Sequence, residues 1–117
     1  KNHTHKLLKY KDILEGNEHQ LVRALSFEGP VSIGIDANHN EFMFYDGGVI
    51  RISSCDSNTL NHGVLAVGYE IGDNSSYLLV KNSWGEEWGI EGYFKIALFE
   101  NNMCGIATAA SYPIPKV

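Results

Sequence analysis

Residues 61–85, NHGVLAVGYEIGDNSSYLLVKNSWG, decide the fold of this chain. They hold two segments of β-type composition, 64–71 and 77–82, separated by a polar run rich in Asn, Asp, Ser and Gly. Similar segments occur on both sides, at 31–36, 48–52 and 93–98. One helix followed by five short strands, without alternating helices, predicts a mainly β (α+β overall) fold built as an antiparallel barrel or sandwich.

A single short helix is expected at the start of this domain. Asn17 can act as its N-cap, Glu18 suits its first turn, and Gln20 stands at the capping-box position. Its apolar face is formed by Leu21, Ala24 and Leu25. We therefore expect two parts, a loose amino-terminal arm over residues 1–16 and one β domain over residues 17–117.

The composition excludes several classes of protein. The chain has 117 residues, of which 44% are hydrophobic and 20% charged, as is usual for one globular domain. Its net charge is -5 and its longest basic cluster spans only residues 6–11, so we expect no nucleic-acid partner. Because no apolar run approaches the roughly 18 to 20 residues of a membrane span, we expect no membrane partner.

Two glycosylation sequons give only weak support for a secreted protein. The chain starts at Lys1 without a Met or an apolar signal region, so we expect that any targeting signal was removed or lay upstream. Asn2 and Asn74 begin Asn-X-Ser/Thr sequons and are candidate glycosylation sites.

The run Lys1-Asn2-His3 could chelate copper or nickel if the Lys1 amine is free, but a solvated tail is the commoner case. We expect no metal and no cofactor.

Three features have ordinary structural interpretations when taken singly. His62, between a polar loop and an apolar strand, is typical of a surface histidine. The loop at 83–89, SWGEEWG, contains two Trp that could serve only as core anchors. Cys55 and Cys104 could form a disulfide in an oxidising compartment or remain two buried thiols.

Taken together, however, residues 61–69 (NHGVLAVGY) and 81–85 (KNSWG) resemble the papain family of cysteine proteases, and most closely its cathepsin L branch. Further matching motifs are GPVSI at 29–33, GIEGY at 89–93, CGIA at 104–107 and ASYP at 110–113. The resemblance covers nearly the whole chain. It implies the right-hand domain of the papain fold, which is barrel-like and antiparallel β, facing a mostly helical left-hand domain across the active-site cleft.

The resemblance also assigns roles to residues. His62 is implied as the general acid/base of a cysteine endopeptidase, Asn82 as the group that orients its ring, and Trp84 as a shield that keeps water from their contact. The implied substrate-pocket positions are Gly34, Leu60, Asn61, Gly63 and Ala109. Cys55 and Cys104 match a structural disulfide of the cathepsin L branch, with two reduced thiols as the alternative.

The nucleophile of the family is not in this sequence. The family carries it in a Cys-Gly-Ser/Ala-Cys-Trp type motif roughly 130 residues before the His, and no such motif precedes His62. We therefore expect the His/Asn half of a lysosomal or secreted endopeptidase, inactive as this chain alone. Its expected partners are the Cys-bearing left-hand half, peptide or protein substrates and protein inhibitors. The alternative is a standalone, non-catalytic binding or regulatory module derived from a cysteine protease.

Overall fold

The computed structural model describes residues 8–115, which form one seven-stranded sheet with helices around it. The strands are β1 (Leu8–Asp12), β2 (Val31–Ile35), β3 (Val49–Ile50), β4 (His62–Glu70), β5 (Tyr77–Lys81), β6 (Tyr93–Ala97) and β7 (Ser111–Pro115). The helices are α1 (Glu18–Phe27), the one-turn α2 (Asn40–Met43) and a 3-10 turn at Met103–Gly105. No helix in this part of the chain is long and apolar enough to cross a membrane.

The strand order is β1-β7-β2-β4-β5-β6-β3, which confirms the mainly β fold class. Two details differ from the expectation. The sheet has β1 and β3 at its two edges and is not closed into a barrel. In addition, β3 pairs with β6 in parallel, whereas the other pairs are antiparallel. A parallel pair needs a long crossover connection, and the chain between β3 and β6 supplies one that contains β4 and β5.

The segment expected to be a loose arm contains an ordered strand. Residues 8–12 form β1, which pairs with β7 from Leu8↔Pro115 to Asp12↔Ser111. Just beyond it, Ile13 is only 4% exposed. The two strands come from opposite ends of the chain, so no local pattern could indicate their pairing. Residues 1–7, with the Asn2 sequon and the Lys1-Asn2-His3 run, lie outside the described residues.

Helix α1 begins where the sequence predicted. Asn17 Oδ1 accepts a hydrogen bond from Gln20 N at 2.9 Å, which confirms the N-cap. The capping box is not formed, because Gln20 Oε1 accepts from Leu14 N at 2.7 Å instead of from Asn17 N. Glu18 is buried, and its carboxylate accepts hydrogen bonds from Phe99 N at 2.6 Å and Asn102 N at 2.8 Å. The helix start is thereby tied to the loop before the 3-10 turn.

The Cys55–Cys104 disulfide joins the loop before β4 to the 3-10 turn. The next residue, Gly105, has φ +77, and a Cβ there would lie 2.6 Å from Leu60 Cδ2 and 2.7 Å from the Ser57 carbonyl oxygen. A side chain at position 105 would therefore push the two loops apart. Thr108 Oγ1 strengthens the same junction by donating to the Ser57 carbonyl at 2.5 Å.

Candidate active site

His62 and Asn82 lie beside each other at the ends of two neighbouring strands inside the sheet. His62 is the first residue of β4, and Asn82 directly follows β5. Because β4 and β5 are antiparallel neighbours, the start of one strand lies next to the end of the other. His62 Nε2 is 2.7 Å from Asn82 Oδ1. Asn82 is 6% exposed, and its backbone N–H donates to the Gly92 carbonyl at 2.9 Å.

The hydrogen bonds of Asn82 determine where the His62 proton sits. Asn82 Oδ1 also accepts from Ser83 N at 2.7 Å, so two donors converge on the amide oxygen. Since this oxygen can only accept, His62 Nε2 carries a proton and Nδ1 is the ring nitrogen left for proton transfer. No hydrogen bond within residues 8–115 engages Nδ1. Asn82 Nδ2 is buried, with no acceptor in the same part of the chain.

Two tryptophans build the wall beside this pair. The Trp84 ring lies with its centroid 5.0 Å from that of His62, tilted by 34°, and the residue is 40% exposed. Trp88 meets Trp84 edge-on at 5.1 Å, and its Nε1 donates to the Phe42 carbonyl at 2.9 Å. Trp88 thus packs on the core as an anchor, whereas Trp84 covers the imidazole. Trp88 therefore has the structural role of a core anchor, whereas the shielding role of Trp84 stays a prediction.

A buried carboxylate next to this site was not identified from the sequence. Asp36 follows β2, is 6% exposed, and accepts hydrogen bonds from His39 Nε2 (2.9 Å), Asn61 Nδ2 (2.9 Å), Asp56 N (3.1 Å) and Asn38 N (3.4 Å). Burial raises the pKa of Asp36, but these hydrogen bonds outweigh it and lower the pKa to about 2. In the sequence, Asp36 is only a charged residue at the end of an apolar strand. Many strands end in this way, so the pattern did not single Asp36 out.

Of the implied pocket residues, Gly34, Leu60 and Gly63 lie next to one another, whereas Ala109 lines a different cavity. Gly34 pairs with Gly63 across β2 and β4, and a Cβ on Gly34 would lie 3.4 Å from the Leu60 side chain. Gly63 also lines a shallow cavity of about 440 Å³ shared with Asn82. Ala109 is exposed before β7 and lines a different cavity, with Asp12 and Ser111 among its neighbours.

Asn61, the remaining implied pocket residue, is engaged with the backbone beside it. Its Oδ1 accepts from Ala37 N at 2.9 Å, its Nδ2 donates to Asp36, and its own N–H donates to the Ile35 carbonyl at 3.0 Å. All three partners belong to the end of β2 and the residues just after it. The polar groups of Asn61 therefore hold the loop in front of His62.

The chain itself offers no free thiol. Its two cysteines, Cys55 and Cys104, are both in the disulfide. Within residues 8–115, one group of three potential metal ligands, Asp36, His39 and Cys55, has donor atoms within 4.8 Å of one another. The Cys55 sulfur is oxidised and Asp36 already accepts four hydrogen bonds, so this group does not have the chemistry of a metal site.

Comparison with known proteins identifies relatives along almost the entire chain. The model of the papain family cysteine protease matches residues 1–114. The chain is 54% identical over 106 residues to a cathepsin L-like peptidase of Aedes aegypti, covering 90% of this chain and 31% of the relative. It is 52% identical over 105 residues to testin-2 of Mus musculus, covering 86% and 32%. For cathepsin L2 of Homo sapiens the identity is 51% over 105 residues, covering 86% and 31%.

A solved structure agrees with the sequence comparison. Digestive procathepsin L 3 from the larval midgut of Tenebrio molitor superposes with a TM-score of 0.84 at 46% identity, covering 89% of this chain and 34% of the other. The chain thus spans about a third of the length of the relatives it matches.

Proposed function

The chain belongs to the papain family of cysteine proteases, and from that premise we propose that it is the His- and Asn-bearing half of a cathepsin L-like cysteine endopeptidase. The observation that carries the proposal is the 2.7 Å contact between His62 Nε2 and Asn82 Oδ1 beside the Trp84 ring. The nucleophilic cysteine comes from polypeptide outside this sequence, because Cys55 and Cys104 are paired. By itself the chain is inactive.

In the assembled enzyme, His62 moves the protons. Its Nδ1 takes the proton of the incoming thiol, which leaves an imidazolium beside a thiolate. The thiolate attacks the peptide carbonyl, and the imidazolium then protonates the departing amine, so that an acyl-enzyme remains. Water attacks this thioester as His62 removes its proton, and the thiol is released with that proton.

Asn82 and Trp84 keep the imidazole in the orientation that these steps need. Asn82 is neutral, so it directs the ring through its amide oxygen without requiring a compensating charge. It is also buried, and a hydrogen bond in a site of low dielectric is stronger than one in water. Trp84 covers the imidazole and limits the access of water to the contact.

The second candidate is a non-catalytic binding or regulatory module derived from a cysteine protease. The observation that favours it is the absence of a free thiol in this chain. On this hypothesis His62 and Asn82 are inherited features of a surface that binds peptides or protein inhibitors. The two hypotheses differ in one respect that can be measured, which is whether a Cys-bearing half restores hydrolysis.

The experiment combines this chain with the Cys-bearing amino-terminal half of a related cathepsin L-like enzyme. We expect peptide hydrolysis and labelling by an epoxide or vinyl-sulfone probe in the mixture, and neither with this chain alone. His62→Ala should abolish the rescue. His19→Ala is the matched control and should leave it intact, because His19 is exposed and stacks on Phe99. If every complementation fails although the chain is folded, the binding-module hypothesis replaces this one.

We also propose that the protein is lysosomal or secreted and carries a glycan at Asn74. Relatives are named cathepsin L2 and digestive procathepsin L, which supports such a location. Asn74 is exposed in the turn between β4 and β5 and begins the sequon Asn-Ser-Ser. Expression of the Asn2→Gln variant, which lacks the other sequon, in a secretory host should give a mass that falls on endoglycosidase treatment, and adding Asn74→Gln should remove that change. An unchanged mass would contradict the glycan.

A further inference from the structure

The residues in front of His62 are tied to a single buried side chain. Asn61 makes three hydrogen bonds, all to residues 35–37, and the one formed by its amide nitrogen ends on the Asp36 carboxylate. His62 comes next and pairs with Ile35 at the last position of the β2–β4 ladder. Asn61 is therefore the final anchor of the chain before the imidazole.

We propose that Asp36 is a positioning residue for His62, because it holds the Asn61 side chain and through it the backbone from which the imidazole projects. Asn61 Oδ1 is occupied by Ala37 N at 2.9 Å, so its Nδ2 must face Asp36 Oδ1, also at 2.9 Å. The amide can adopt only this orientation without losing both bonds. The proposal rests on the proposed function in that His62 is the general acid/base.

The Asp36 carboxylate brings together three separate segments. Besides Asn61, it accepts from His39 Nε2 before α2 and from Asp56 N next to the disulfide residue Cys55. The carboxylate is ionised under ordinary conditions, since its pKa is lowered to about 2. An ionised carboxylate accepts about four hydrogen bonds, and this one receives four. A neutral side chain of the same shape cannot replace it.

The chemistry of an amide at position 36 makes this argument testable. In Asp36→Asn, the new NH₂ group faces either Asn61 Nδ2 or the donors His39 Nε2 and Asp56 N, so one donor meets another in each orientation. The swapped double variant, Asp36→Asn with Asn61→Asp, removes the conflict with position 61 and leaves only the longest bond, from Asn38 N at 3.4 Å, without its acceptor. In it, the amide oxygen at position 36 can accept from His39 and Asp56 N, while the amide nitrogen there donates to a carboxylate at position 61. That carboxylate still accepts from Ala37 N.

The test observes the imidazole directly, in this chain and without any hydrolysis. NMR of ¹⁵N-labelled histidine measures how fast the His62 Nε2 proton exchanges with water, and Asn82→Ala marks the result expected when its acceptor is lost. We expect exchange about ten-fold faster in Asp36→Asn and in Asn61→Ala. In the swapped double variant we expect the His62 proton to exchange at a rate within about two-fold of the wild type.

The control is Asp46→Asn, which removes the same charge from an exposed residue and should leave the His62 proton unchanged. A wild-type exchange rate in folded Asp36→Asn or Asn61→Ala would overturn the proposal. The proposal would also be overturned if the swapped double variant recovered thermal stability while its His62 proton still exchanged fast. Asp36 would then have only a structural role. If Asp36→Asn does not fold, Asn61→Ala decides.

The same measurements separate this proposal from the proposed function. If the His62 proton responds as expected but the Cys-bearing half never restores hydrolysis, the positioning role stands and the endopeptidase assignment fails. If hydrolysis is restored, Asp36→Asn should lower kcat by about ten-fold while KM changes little, because a displaced imidazole affects the transition state more than substrate binding. A rise of about ten-fold in KM with an unchanged kcat would contradict the positioning role.

Discussion

His62 Nε2 lies 2.7 Å from Asn82 Oδ1, although 20 residues separate them along the chain. The β4–β5 pairing creates this contact by bringing the start of one strand beside the end of the next. The hydrogen bonds of the Asn82 amide direct its oxygen toward the ring, so the imidazole is oriented by a neutral group. This orientation is the property on which the proposed chemistry depends.

Removal of Asn82 should therefore reduce catalysis more than stability. In the complemented enzyme we expect Asn82→Ala to lower kcat by about 10²-fold, because the His62 ring loses its orientation. Asn58→Ala, at an exposed Asn, is the matched control and should retain full activity. Steady-state kinetics on a fluorogenic peptide measure the effect. Full activity of Asn82→Ala would show that the contact has no orienting role.

The disulfide should contribute strongly to stability. Cys55 and Cys104 are separated by 49 residues, and closing a loop of this length is worth about 4 kcal/mol in the chain-entropy model. We expect the double variant Cys55→Ser with Cys104→Ser to lose about that much free energy of unfolding, measured by urea denaturation. Reduction of the wild type should produce the same loss. Equal urea midpoints for the two proteins would refute this prediction.

Acid should destabilise the fold through Asp36. The pKa of this carboxyl falls from 3.8 to about 2 in the folded state, so the stability that it contributes is present above the unfolded pKa and is lost as the pH falls through the folded value. The loss should amount to about 2 kcal/mol between roughly pH 4 and pH 2. In Asp36→Asn this component of the pH dependence should be missing. Parallel stability curves for both proteins over that range would contradict the prediction.

Substrate preference should depend on the residue at position 109. The assembled enzyme should accept Leu, Phe or Val at the second residue on the amino side of the scissile bond and reject Arg, because Ala109 supplies no carboxylate to pair with a guanidinium. Ala109→Glu should shift the preference toward Arg, whereas Ala109→Gln, with the same shape but no charge, should not. Cleavage profiling with a peptide library measures this. A wild-type preference for Arg would rule out the pocket assignment.

The sequence alone predicted those parts of the fold that short-range patterns encode. β-branched and aromatic residues located β2, β3, β4, β5 and β6 to within two residues of their observed ends. Asn17 marked the start of α1, because an N-cap needs only residues within one turn of it. For the site, His62 and the loop at 83–89 favoured ordinary structural roles when taken singly, and only the resemblance to the papain family pointed to catalysis.

The remaining features were decided by tertiary structure, because they join segments that no local pattern relates. β1 pairs with β7 from the other end of the chain, and the place of β3 in the sheet comes from a parallel pairing with β6. Asp36 accepts hydrogen bonds from residues up to 25 positions away. A buried charge is stable only when such partners converge on it, and which partners converge depends on how distant loops pack after the sheet has formed.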